Sequence, residues 1–153
     1  MVGALKMPIK YIKGDLFNIA PKGVYLAHAV NPYGVWGAGI AAIFARKYPD
    51  DHQEYNQHCK AKKQVNLPGT TYITENNIAC LFTLSDWGDN PSEIIFNTGN
   101  CLLDLFEQLP LNSVVYSPKF NSGLFNVPWE YTAEVLEKHL ATRNDIHWVV
   151  CEL

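Results

Sequence analysis

The run Val24–Asn31 (VYLAHAVN) is apolar at nearly every position over the length of one strand. Such a segment has no wet face, so the strand it forms must be covered on both sides, as in sheets whose crossovers are helices. The continuation agrees. After a glycine-bearing stretch, Ile40, Ile43, Phe44 and Lys47 recur at helical spacing up to Tyr48-Pro49, where the proline is expected to end the helix. Ile9–Lys13 reads as a short strand before this unit, stopped at Gly14-Asp15.

Further along, strand and helix signals keep alternating. Asp50–Lys62 is polar, with Tyr55 and Cys59 one turn apart, and reads as an exposed helix. Thr70–Thr74 and Ile78–Leu84 are strand-like, and Asn76-Asn77 between them suits a tight hairpin turn. Asn90-Pro91-Ser92-Glu93 resembles a capping box before Ile95, Thr98, Leu102, Leu105, Phe106 and Leu109 on one helical face. Val114–Ser117 is another strand and Pro118–Pro128 a loop. Trp129, Ala133, Leu136 and Leu140 mark a last helix, and Ile146–Cys151 a last strand. The expectation is an α/β fold in which a mixed sheet lies between helices. No repeat, linker or boundary is visible, so residues 1–153 read as one domain.

Composition narrows the function classes. The chain has 153 residues, 48% hydrophobic and 12% aromatic, enough for a real core. Its formal charge of −3 lacks the basic excess that direct nucleic-acid binding requires, so a bound nucleotide should be small. Cys59, Cys80, Cys101 and Cys151 are far apart and form no C-x-x-C pair, which reads as reduced core thiols. His52, His58, His139 and His147 have no metal-ligand spacing, so neither a metal nor a cofactor is expected. Met1–Lys6 has no apolar signal region and no stretch is apolar for long enough to span a bilayer. The expected setting is cytoplasmic or nuclear, with no membrane partner and a monomeric chain.

The chemistry gathers in two loops. Gly34-Val35-Trp36-Gly37-Ala38-Gly39-Ile40 lies between an apolar strand and a helix. Glycines let backbone approach a ligand, and the free N–H groups of a helix start attract anions. Alone, this cluster is equally well a plain tight turn. A second loop, Asn121-Ser122-Gly123-Leu124-Phe125-Asn126, also follows a strand and precedes a helix, and that shifts the balance. In open α/β sheets ligands bind beyond the carboxyl ends of strands, so the two loops together could hold the two sides of a diphosphate. His28 is either a core histidine or, three residues before Asn31, a group acting near the ligand as acid, base or phosphoryl acceptor. Asp86 and Asp89 are spare loop carboxylates, read as solvated. Tyr116, Phe120 and Phe125 are equally stacking or core residues.

Gly14-Asp15-Leu16-Phe17, Ala27-His28-Ala29-Val30-Asn31 running into Trp36-Gly37-Ala38-Gly39-Ile40-Ala41, and Ser117-Pro118 to Pro128-Trp129 together resemble a macrodomain, the ADP-ribose-binding fold. The resemblance covers nearly the whole chain and implies a three-layer α/β/α sandwich. Within the family the chain is similar to fungal phosphatases of ADP-ribose 1''-phosphate, a by-product of tRNA splicing. Asp15 would then accept from the adenine amino group beside the Leu16 backbone and Gly14, Asn31 would contact the distal ribose, and the two loops would bind the diphosphate. The resemblance also favours catalysis for His28, with Asn31 orienting the ribose. Related macrodomains that remove ADP-ribose from glutamate or DNA rely on a lysine and an aspartate where this chain has Leu84 and Phe125, so that chemistry is not expected.

Overall fold

A computed structural model describes residues 8–153. The opening segment Met1–Lys6, read above for a secretory signal, lies outside them. The elements in chain order are β1 (Ile9–Lys13), α1 (Leu16–Ile19), β2 (Tyr25–Val30), α2 (Gly39–Lys47), α3 (Pro49–Ala61), β3 (Thr71–Ile73), β4 (Ile78–Phe82), α4 (Pro91–Gln108), β5 (Val114–Ser117), α5 (Trp129–Leu140) and β6 (His147–Glu152). The strands form one sheet in the order β1-β6-β5-β2-β4-β3. All neighbours are parallel except β3 and β4, the expected hairpin, in which Asn77 takes a φ of 63°.

Both faces of the sheet are covered. β4 is buried at all five positions, and its side chains alternate: Ile78, Cys80 and Phe82 face α1–α3, while Ala79 and Leu81 face α4–α5. On the first side Phe44 of α2 and Tyr55 of α3 are fully buried. On the second, Leu102 and Leu105 of α4 meet Leu136 of α5 and Trp148 of β6. Each such side chain contributes about 1.5–3 kcal/mol of apolar burial, so the three layers hold each other in place. The four cysteines are buried and free.

Local chemistry explains the helix ends, with two departures from expectation. Asn90 caps α4 by accepting from the Glu93 N–H at 3.0 Å, and Pro91 occupies the first turn. Pro49 does more than stop α2. It also opens α3, because a first-turn N–H has no intrahelical acceptor to lose. The short α1, unforeseen in the sequence, is nucleated by Asp15, whose carboxylate accepts from Phe17 N at 3.0 Å.

Candidate functional site

Neighbouring strands β2 and β5 are parallel, but the chain leaves their carboxyl ends in opposite directions. From β2 it passes through α2 and α3 to β3 and β4 on one side, and from β5 through α5 to β6 on the other. That divergence opens a crevice, the usual ligand site of an open α/β sheet. Here it is a cavity of about 410 Å³ lined by the loops after β2 and β5.

Asn31 builds the first loop. Its Oδ1 accepts from Tyr33 N (2.9 Å) and Nδ2 donates to Val35 O (2.7 Å), while Tyr55 Oη donates to Asn31 O (2.6 Å) and Oδ1 (3.0 Å). Gly34 has a φ of +79°, and a Cβ there would come within 2.8 Å of Asn56 Nδ2, so the turn requires glycine. The loop thus lines the cavity with Gly37, Ala38, Gly39 and Ile40, whose backbone N–H groups have no acceptor among the described residues. The last two belong to the first turn of α2, where unpaired donors and the helix dipole favour an anion.

Asn121 builds the second loop. It is buried at φ 70°, and its Oδ1 accepts from Thr83 Oγ1 at 2.8 Å. Its Nδ2 donates to Thr98 Oγ1 (3.0 Å) and Thr132 Oγ1 (3.3 Å). The side chain therefore ties β5's loop to the end of β4, to α4 and to α5, and has no donor left for a ligand. The N–H groups of Gly123, Leu124 and Phe125 have no acceptor among the described residues, so this loop also presents backbone. Asn121→Ala should lower stability by about 2–3 kcal/mol in urea unfolding at pH 7, because it leaves buried hydroxyls unpaired. A loss below about 0.5 kcal/mol would contradict this role.

His28 of β2 has the surroundings of a core side chain. Its ring has no exposed surface, stacks on Phe44 (centroids 4.1 Å apart) and meets Trp36 edge-on at 4.9 Å, and neither ring nitrogen has a hydrogen-bond partner among the described residues. Burial lowers its pKa to about 3, so the imidazole is neutral where it contributes to the inner lining of the cavity. The strand pattern leaves a core histidine open, and it is Phe44 and Trp36, reaching the ring from outside the strand, that give it core surroundings. Trp36 itself is 3% exposed and stacks with both Tyr55 and His52, at 4.9 and 5.2 Å between centroids.

The other predicted site residues fall into three groups. Asn31, Trp36–Ile40, Asn121, Gly123, Leu124 and Phe125 line the cavity. Gly14, Asp15 and Leu16 lie at the carboxyl end of edge strand β1, two strands away from β5. There Asp15 is exposed and the Leu16 side chain is buried with α1–α3. Ser122 and Asn126 turn away from the cavity, and Ser122 Oγ is buried without a partner. Phe120 lines the cavity, whereas Tyr116 packs on the α1–α3 core. Leu84 is buried against Ile94 and Val127.

Two lining residues escaped sequence reading. Lys119 carries the positive charge of the lining and pairs with Glu152 at 2.7 Å. Trp87 comes from the loop after β4, which had been considered only for its acids. Asp86 Oδ1 accepts from Tyr33 Oη (3.1 Å) and Trp87 N (2.8 Å), and Asp89 Oδ2 accepts from Ser85 N (2.6 Å), so both acids organise that loop.

Residues 27–136 match the family model described as "Macro domain". The chain is similar to proteins named ADP-ribose 1''-phosphate phosphatase from Lodderomyces elongisporus and Candida albicans. The first is 45% identical, across 86% of this chain and 92% of that protein. The second is 43% identical, across 85% and 92%. Among solved structures, the macrodomain of Thermus aquaticus DarG superposes with a TM-score of 0.77 at 24% identity, covering 95% of this chain and 98% of that one. Thermosipho africanus DarTG in complex with ADP-ribose matches with a TM-score of 0.70 at 18% identity, over 94% of this chain and 42% of that one.

Proposed function

The chain belongs to the Macro domain family, and from that premise we propose that it hydrolyses ADP-ribose 1''-phosphate to ADP-ribose and inorganic phosphate. The observation that carries this reading is the pair of loops lining one cavity, Gly37–Ile40 and Gly123–Phe125, whose backbone N–H groups have no acceptor among the described residues, at the carboxyl ends of β2 and β5. Backbone donors on two sides suit a diphosphate, which accepts from both. Asp15 stands on the β1 flank and is assigned the adenine amino group, beside Gly14 and the Leu16 backbone. Asn31, whose carboxamide keeps one N–H without an acceptor among the described residues, is assigned to orienting the terminal ribose.

In the reaction a water oxygen attacks phosphorus, the bond from phosphorus to the ribose 1'' oxygen breaks, and that oxygen leaves to become the hydroxyl of ADP-ribose. A loose phosphoryl-transfer transition state asks little of a general base, and positioned donors supply most of the stabilisation. His28 is therefore assigned to packing under the site. Hydrolysis of ADP-ribose from glutamate or DNA is disfavoured, because Leu84 is buried in an apolar cluster and Phe125 carries no titrating group.

The named activity of the fungal relatives supports this substrate, and the ADP-ribose complex of the Thermosipho protein supports the ligand class. We take the substrate to be a by-product of tRNA splicing, met by a monomer in the cytoplasm or nucleus without direct nucleic-acid contact. Among the described residues no helix is long and apolar enough to cross a membrane. Two assays side by side test the proposal: phosphate release from ADP-ribose 1''-phosphate and ADP-ribose release from a modified protein. Turnover in the first alone is expected. Turnover in the second alone would replace the phosphatase with a glycohydrolase, and binding of ADP-ribose with no turnover in either would leave a reader module.

A further inference from the structure

We infer that Trp87 is a specificity-determining residue, which closes the end of the cavity beyond the terminal ribose and excludes ADP-ribose attached there to a peptide or other large group. The inference rests on the ligand orientation proposed above. In the sheet order, Asp15 follows β1 on one flank of the β2–β5 pair, and Trp87 follows β4 on the other. A ligand with adenine near Asp15 and its diphosphate on the two loops must end toward Trp87.

The contacts of Trp87 make a wall at that end. Its ring stacks on Tyr33 with centroids 5.6 Å apart at 29°, and meets Phe125 edge-on at 6.4 Å and 70°. Tyr33 comes from the loop after β2 and Phe125 from the loop after β5, so the indole joins three separate loops across the cavity rim. The Tyr33 Oη to Asp86 Oδ1 bond at 3.1 Å ties two of them again, and the same oxygen accepts from Trp87 N at 2.8 Å. Trp87 is nevertheless 61% exposed, so core packing does not account for an indole here. A large ring exposed to solvent and lining the cavity, held by Tyr33 in a stacked contact and by Phe125 edge-on, is a barrier to chain passage. A compact phosphate fits inside the barrier, whereas a peptide continuing from the ribose must displace the indole.

The test compares calorimetric affinities of the wild-type chain, Trp87→Ala and Trp87→Phe for two probes: free ADP-ribose, and a short peptide carrying one ADP-ribose on a serine. The wild type is expected to prefer free ADP-ribose by about 10-fold or more, Trp87→Ala to reduce that preference to about 3-fold or less, and Trp87→Phe to keep it. Equal wild-type affinities for the two probes would overturn the inference while leaving the ADP-ribose site intact, as would a preference unchanged in Trp87→Ala. A wild-type chain that binds neither probe would overturn the site itself. Trp87→Ser, which removes the same exposed ring, gives the same readout if the alanine variant does not fold.

Discussion

Gly123→Glu should weaken ADP-ribose binding by about 100-fold or more while leaving the melting temperature at the wild-type value. The position allows this separation. A Cβ added at Gly123 meets no heavy atom within 4 Å, so the fold has room for the side chain. The glutamate carboxylate would sit among the unpaired N–H groups of residues 123–125, where it satisfies the donors meant for the ligand and repels a diphosphate. Gly37 is a poorer place for the same experiment, because a Cβ there comes within 3.2 Å of Val35 Cγ1 and that side chain must give by a few tenths of an ångström. Titration calorimetry with ADP-ribose and a thermal melt of the same protein give the two readouts. Affinity within about 3-fold of wild type would move the ligand away from the second loop.

His28→Ala should cost about 3 kcal/mol of stability, the scale for truncating a large, fully buried ring to alanine, while His28→Leu should cost no more than about 1 kcal/mol at pH 7. Leucine keeps much of the volume and removes two ring nitrogens that have no partner among the described residues. The two proteins should also differ from wild type in acid. The ordinary pKa of 6.5 holds for the unfolded histidine, and burial lowers the native value to about 3. Between these values the unfolded chain binds a proton that the native one does not, so stability rises with pH across this window and levels off above 6.5. The slope from this one group approaches about 1.4 kcal/mol per pH unit, and His28→Leu should remove it. Urea unfolding at pH 7 and pH 5 measures the difference, expected to be about 2 kcal/mol larger for wild type than for His28→Leu. Phosphate release per folded molecule should change little in either variant. A fall of about 100-fold in a stable His28→Leu protein would return His28 to the chemistry as an acid or base.

The order of strands and helices was legible from residue patterns, because periodicity and capping act over a few positions. The unbroken apolar run of β2 announced a strand covered on both faces, and Asn90-Pro91 announced the start of α4. The glycines of the first loop likewise marked where backbone would be left unpaired. Boundaries were less exact. Ile78–Leu84 reads as strand throughout, but pairing with β2 ends at Phe82, the last residue with a partner in the register.

The roles of single side chains depended on the tertiary structure. Alternation along β2 could assign His28 to one face, but only Phe44 and Trp36, arriving from later in the chain, seal that face and remove the ring from solvent. Asn121 looked like a ligand residue from its loop. Its carboxamide is instead consumed by Thr83, Thr98 and Thr132, partners 11 to 38 residues distant in the chain. Trp87 had no local pattern to distinguish it, because its meaning comes from Tyr33 and Phe125 on two other loops. The sequence by itself therefore determined the alternating elements and the two places where backbone donors are exposed, both set by neighbours within a turn or a strand. Burial, hydrogen-bond saturation and closure of the cavity were decided by the tertiary structure, since each depends on which distant residues the sheet brings together.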